Sequence, residues 1–129
     1  MKTPESTDLL QAILHQDSRY TEEAYIFVRA GLDFTVRRLN APRHVSGGEL
    51  LDGIREYALE EFGPMTKTLL AGWGITCTED IGEIVFNMVE SGLLGKTDKD
   101  SREDFAKGYD FDQAFCRPFQ PAATTPAPL

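Results

Sequence analysis

Several consecutive segments of this chain repeat apolar residues at helical spacing, and each segment is bounded by residues that start or stop helices. The clearest segment begins at Ser46, where Glu49 follows three residues later and apolar residues then recur every three or four positions. This serine–glutamate spacing is typical of a capping box, and the Gly63–Pro64 pair is typical of a helix end. The pattern therefore predicts a mainly helical fold.

The same signals predict the other helices. We expect them over about residues 7–16, 21–39, 46–63, 64–74 and 78–91. Thr21 is the predicted cap of the second helix, and Thr76 or Thr78 is the predicted cap of the last one. Trp73, between two glycines, is expected to anchor a helix end in the core.

The sequence changes character after the last predicted helix. Residues 92–97 and 104–111 are short apolar-led segments around a charged middle, a pattern that predicts a β-hairpin. Helices followed by a hairpin predict a winged-helix-like α+β fold, with a helical bundle carrying a hairpin of other topology as the alternative. We expect one domain over residues 1–119 and a disordered Pro/Ala/Thr-rich tail over 120–129. Four aromatic residues near this end are expected to close the core: Tyr109, Phe111, Phe115 and Phe119.

Charge and hydropathy exclude several classes of protein. The 129 residues carry a net charge of −8, which disfavours a general nucleic-acid binder because phosphates are repelled. In the winged-helix-like fold, the helix over 78–91 takes the recognition-helix position and residues 96–104 form the wing tip. Residues 79–112, which span most of these two elements, contain ten acidic and four basic side chains, whereas a DNA reader would place positive charge there. No apolar run approaches the roughly 20 residues that span a bilayer. The first ten residues do not follow the charged-then-apolar pattern of a signal peptide, so we expect no export. We expect a cytoplasmic protein without a membrane partner.

Metal and cofactor sites are not expected. Cys77 and Cys116, predicted to be reduced thiols, do not combine with His15 and His44 in a zinc-binding spacing. The acidic run 98–104 resembles the start of a calcium loop, but it lacks the required glycine and the final glutamate.

Catalytic motifs also fail. The stretch around Ser46 has neither the lysine of a phosphate-binding loop nor the preceding glycine of a nucleophile elbow. Four carboxylates on the last helix are interpreted as first-turn or solvent-facing residues: Glu79, Asp80, Glu83 and Glu90. The sequence therefore predicts that the protein is not an enzyme.

The remaining candidate sites are charged surfaces. Arg37, Arg38 and Arg43, followed by His44, form an acid-free basic corner, whereas Glu83, Glu90, Asp98 and Asp100 form an acidic surface. Surface complementarity with another protein is the predicted function. The alternative is a regulator that binds nucleic acid through the three arginines, and a homodimer remains open.

Several motifs carry a family resemblance. "HVSGGELLDGIREYALEEFGPM", "WGI", "TEDIGEIVFNMVESGLLGKT", "DSREDF" and "YDFDQAF" occur in this order between about residues 17 and 119. Together they resemble a small uncharacterised family of planctomycetes and verrucomicrobia. That family has no assigned activity, so the resemblance implies a compact bacterial protein and no catalytic residue.

Overall fold

The structure is a computed structural model that describes residues 6–39, 45–94, 105–106 and 108–119, with the side chains of residues 6 and 7 excepted. The described residues form five α-helices, which confirms the prediction of a mainly helical fold. They are α1 (Ser6–Gln16), α2 (Glu22–Arg37), α3 (Gly47–Phe62), α4 (Thr66–Gly72) and α5 (Thr78–Ser91). A single 3-10 turn, Gly63–Met65, joins α3 to α4.

Local capping explains where two of the helices begin. The Ser46 hydroxyl accepts the Glu49 N–H at 3.2 Å, and the Glu49 carboxylate accepts the Ser46 N–H at 3.1 Å. The predicted capping box of α3 is therefore confirmed. Thr21 caps α2 as predicted, because its hydroxyl accepts the Ala24 N–H at 3.4 Å.

The cap of α5 differs from the prediction. Cys77 is the N-cap residue, and one carboxylate oxygen of Asp80 accepts the N–H groups of Thr76 and Cys77 at 2.9 and 3.3 Å. The Thr78 hydroxyl is drawn into the core instead, where it donates to the Phe105 carbonyl at 2.6 Å. Asp80 thus supplies the half of a capping box that reaches back from the first turn to the backbone before the helix.

Helices α2 and α3 form a closely packed antiparallel pair. Gly31 of α2 faces Ile54, and Gly53 of α3 faces Thr35, so each helix presents a glycine to a branched side chain of the other. The Thr35 hydroxyl is buried at this crossing and donates to the Gly31 carbonyl at 2.8 Å. Glycine at both points allows the two backbones to approach.

The core lies where α2, α3, α4 and α5 converge. Apolar side chains from every one of these helices contribute to it, together with the short segment before α5 and the C-terminal residues. The largest fully buried apolar side chains are Tyr25, Phe105, Phe115, Ile54, Leu70, Ile75, Ile81, Ile84 and Val28. Trp73 packs against Phe27 and Phe62 at ring-centroid distances of 5.8 and 5.7 Å, as expected for an aromatic anchor.

The predicted hairpin is not shown. Residues 95–104 and 107 lie outside the described ranges, and no residue within those ranges lies in a strand. The described part of the second predicted strand turns at Phe105 and becomes helical at Phe111. Asp110 explains the helical start, because its carboxylate accepts the Gln113 N–H at 3.1 Å and its carbonyl accepts the Ala114 N–H at 2.9 Å.

The C-terminal residues form two short helical turns, Asp112–Cys116 and Arg117–Phe119. Phe111 and Phe115 are buried as predicted, and Tyr109 is partly buried with its hydroxyl donating to the Leu51 carbonyl at 2.9 Å. The prediction for Phe119 is wrong, because this side chain is 44% exposed. It lies beyond the last turn that packs on the core. The predicted disordered tail, 120–129, lies outside the described residues.

Candidate functional site

The predicted basic corner does not present three free cations. Arg38 forms an ion pair with Glu56, and its guanidinium lies 5.2 Å from the centre of the Phe34 ring. Arg37 is exposed, and its Nε donates to the Asp33 carbonyl at 3.3 Å, near the end of α2. Arg43, like His44, lies outside the described residues. In the described part of this corner, at the end of α2, the charge of Arg38 is therefore neutralised by Glu56, and Arg37 is an exposed cation.

The residues of the predicted acidic surface also differ in their surroundings. Glu83 lies on α5 and pairs with Arg19 at 3.5 Å, so its charge is partly matched. Glu90 is exposed near the end of α5. Asp98 and Asp100 lie outside the described residues. What remains of the surface is the outside of α5, a helix that contains four acidic residues and no basic residue.

A polar cluster that sequence reasoning missed fixes the turn between α1 and α2 against α5. Asp17 accepts two hydrogen bonds from the Arg19 side chain, at 2.9 and 2.7 Å, and one from Asn87 at 3.0 Å. The Asn87 amide also donates to the Tyr25 hydroxyl at 3.0 Å. The Arg19 hydrogen bonds hold the pKa of Asp17 well below its usual value, and the Asn87 bond lowers it further despite partial burial. A carboxylate satisfied in this way is a structural anchor and is poorly suited to proton transfer.

Asp80 anchors the same turn from the start of α5. The Tyr20 hydroxyl donates to it at 2.6 Å, in addition to the backbone groups that it caps. Burial by itself raises the pKa of Asp80, but hydrogen bonds from Tyr20, Thr76 and Cys77 outweigh burial and lower the pKa. Burial and the nearby Asp80 charge raise the pKa of the Cys77 thiol, which disfavours the nucleophilic thiolate.

The described residues bring together no metal-ligand set. No three side chains of His, Cys, Asp or Glu lie close enough, among those described, to hold a metal ion. Ser46 lies at the start of α3 as its cap, and its hydroxyl accepts a backbone hydrogen bond. The arrangement of these side chains supplies anchors and caps.

The described residues form an open groove of about 650 Å³ beside α2. We call it the docking groove. It is lined by Leu10 of α1, by residues of α2, by Met88 of α5 and by Leu93. Ile26 lies on its α2 wall and is 56% exposed, the highest value among the large apolar side chains described. The α2 residues that line it are Glu22, Tyr25, Ile26, Arg29, Ala30 and Asp33.

The rim of the docking groove is charged. Arg29 lies 3.6 Å from Asp33 and donates to the Leu93 carbonyl at 3.2 Å, so it ties α2 to the end of α5. Glu22 lies at the other end of the α2 wall. An apolar floor within a polar rim is the composition of a protein-binding surface.

A smaller cavity of about 310 Å³ lies between α1 and α5. Leu9, Ala12, Ile13 and Gln16 of α1 line one wall. Asp17, directly after α1, and the α5 residues Asn87, Glu90 and Ser91 complete the lining. Helix α1 therefore borders both cavities.

The sequence contains one signal for the docking groove. Ile26 lies next to Tyr25 and two positions before Val28, outside the buried stripe of α2, where a surface helix normally has a polar residue. Only the folded structure shows that Ile26 shares a groove with side chains from α1 and α5. One exposed isoleucine is common on protein surfaces, so the sequence signal alone is weak.

Comparison of the chain with models of known protein families, with curated proteins and with solved structures finds no match. None of the described helices combines the length and apolar character needed to cross a membrane.

Proposed function

We propose that this chain is a non-enzymatic protein-interaction module that binds an amphipathic segment of another protein in the docking groove. The observation that carries the proposal is the open apolar groove of about 650 Å³ with Ile26 exposed on its wall. Its side chains converge from α1, α2 and α5, so the surface depends on the folded chain. Exposed apolar surface within a polar rim is typical of sites where proteins associate.

The shape and charge of the groove favour a basic amphipathic helix as the partner segment. A groove between helices accepts the apolar face of another helix through residues spaced three and four apart. The charged residues that line the groove are Glu22, Arg29 and Asp33; Arg29 pairs with Asp33, so the rim carries a net charge of −1 and Glu22 supplies its negative end. Lysine or arginine flanking the apolar face of the partner would complement this negative charge and would suppress acidic competitors.

Nucleic acid is the less supported partner. Of the arginines assigned to that role, Arg38 is matched by Glu56, and α5 presents only acidic charges. A duplex reader places positive charge where it meets phosphates. The winged-helix-like arrangement remains part of the proposal: α5 would occupy the recognition-helix position, and its acidic outside suits a protein partner better than DNA.

The proposal is tested by selecting helical peptides from a displayed library on the purified chain. We expect the selection to enrich amphipathic sequences with flanking Lys or Arg. Ile26→Asp should weaken the binding of a selected peptide at least about tenfold, because it places a charge against the apolar contact. Met65→Asp is the matched control, since Met65 is 54% exposed and does not line the groove.

Two outcomes would contradict the proposal. Selected peptides would bind the Ile26→Asp and Met65→Asp variants equally if the docking surface were elsewhere. Alternatively, the selection would enrich nothing, while duplex DNA would bind with a steep salt dependence that Arg37→Ala reduces.

A further inference from the structure

We infer that α1 is a displaceable occupant of the surface between α2 and α5, and that the partner helix takes its place. This inference rests on the proposed function and makes it more specific. The partner would contact the surface beneath α1 together with the α2 and α5 walls of the docking groove, while the Leu10 wall would leave with α1. The partner helix would have the apolar spacing of α1 and one additional basic side chain.

The packing of α1 supports displacement. Among its described side chains only Ile13 is buried, whereas α2, α3 and α5 each bury six residues. Leu9, Leu10 and Leu14 remain half-buried. Helix α1 borders both cavities, the one of about 650 Å³ through Leu10 and the one of about 310 Å³ through Leu9, Ala12, Ile13 and Gln16. Loose packing of this kind lowers the free energy needed to release a segment.

Polar contacts hold the turn after α1 rather than α1 itself. Within the described part of the chain, the side chains of residues 8–16 form no hydrogen bond or ion pair. The anchors begin at Asp17, which contacts Arg19 and Asn87, and continue at Tyr20, which contacts Asp80. Release of α1 would therefore break apolar contacts alone and leave the turn in place as a hinge.

The charge of Glu90 indicates which side chain would let a partner helix bind this surface better than α1 does. Glu90 lines the smaller cavity opposite Ala12 and Gln16, neither of which is cationic. No ion pair to Glu90 is formed by the described residues. A partner helix with the apolar spacing of α1 and a lysine at the position of Gln16 would form the ion pair that α1 lacks. It would then compete with α1 even though α1 is covalently attached.

The experiment uses a fluorescent peptide with the sequence of residues 6–17 and the full-length chain. Fluorescence polarisation should show weak binding to the wild type, because α1 occupies the site and only the open fraction of molecules accepts the peptide. Ile13→Ala in the protein should tighten binding at least about tenfold by weakening the attached helix. His15→Ala, at an exposed position of the same helix, is the matched control and should change nothing.

A second peptide tests the ion pair. Gln16→Lys in the peptide should tighten binding about twofold to fivefold, as expected for a partly exposed ion pair. This gain should vanish against the Glu90→Gln protein, while the affinity of the original peptide stays unchanged. A gain that persists with Glu90→Gln would overturn the predicted position of the partner helix.

Hydrogen exchange on the wild-type chain keeps the inference testable if Ile13→Ala fails to fold. Saturating Gln16→Lys peptide should accelerate amide exchange in α1, because the helix is released, and should slow exchange in α2 and α5. Unchanged or slower exchange in α1 would overturn the inference.

The two proposals fail in different ways. If Ile13→Ala leaves peptide affinity unchanged while Ile26→Asp abolishes it, the peptide binds beside α1. The inference is then wrong and the interaction module stands. If the selected library peptides bind independently of Ile26, the proposed function itself is wrong.

Discussion

The substitution Gly53→Ala tests the packing on which the α2–α3 pair depends. A Cβ atom added at Gly53 would lie 2.8 Å from the Cβ and 3.0 Å from the Cγ2 of Thr35, and it would overlap the Thr35 hydroxyl. Carbon atoms in contact normally lie about 3.5–4.0 Å apart. Rotation of the Thr35 side chain moves its hydroxyl and Cγ2 but leaves its Cβ in place. The two helices would therefore have to separate by about 0.7 Å.

The net effect is a balance of two free energies. Replacing glycine by alanine inside a helix stabilises it by about 0.5–1 kcal/mol, and overpacking a closed interface destabilises by about 1–3 kcal/mol. Because the clash involves atoms close to the backbone, we expect the upper part of the overpacking range and a net loss of about 1–2 kcal/mol. For a chain of this size, the loss corresponds to a melting temperature lower by about 4–7 °C.

Thermal unfolding followed by circular dichroism measures this loss. Gly48→Ala is the matched control, since Gly48 lies on the same helix with no atom within 4 Å of an added Cβ. It should leave the melting temperature unchanged or raise it. In a Thr35→Ala background, Gly53→Ala should be less costly, because the overlapping hydroxyl and Cγ2 are gone and only the Cβ contact remains. A Gly53→Ala variant as stable as the wild type would refute the packing of α2 on α3 described above.

Two further predictions concern capping and acid stability. Ser46→Ala should lower the free energy of unfolding by about 1 kcal/mol in urea titrations, and a much larger loss would point to a role beyond capping. The folded-state pKa values of Asp17 and Asp80 lie below their usual range, so their contribution to stability is complete well above the unfolded pKa of about 3.9 and is lost progressively as pH falls from there through the lower folded-state pKa. Urea midpoints should therefore decline below about pH 5, and Asp17→Asn should make that decline shallower. An equally steep decline in this variant would show that Asp17 is not a source of the acid sensitivity.

The candidate site was predictable only in part. Glu90 was assigned to a partner-binding surface from its charge, and it lies at the smaller cavity beside α1. Arg38 was assigned to a basic patch, but Glu56 matches its charge across the α2–α3 pair. The difference arises because charge is visible in sequence, whereas the neighbour that neutralises it comes from another element.

The boundaries of α2 and α3 were determined by the sequence itself. Thr21, Ser46, Glu49 and Gly63 act on backbone groups within a few residues, so their effect is local and can be inferred from spacing alone. Periodicity likewise identified the apolar stripes, because residues three and four apart share one side of a helix. These signals require no knowledge of the rest of the chain.

Only the tertiary structure decided which apolar residues stay exposed and which polar residues meet. Ile26 lines an open groove because α1 and α5 leave its side of α2 uncovered, and Phe119 is exposed because it follows the last packed turn. Asp17 and Asn87 are 70 residues apart and form a hydrogen bond across two elements. A sequence pattern predicts which side chains share one face of a helix. Whether another element covers that face depends on how the helices pack together.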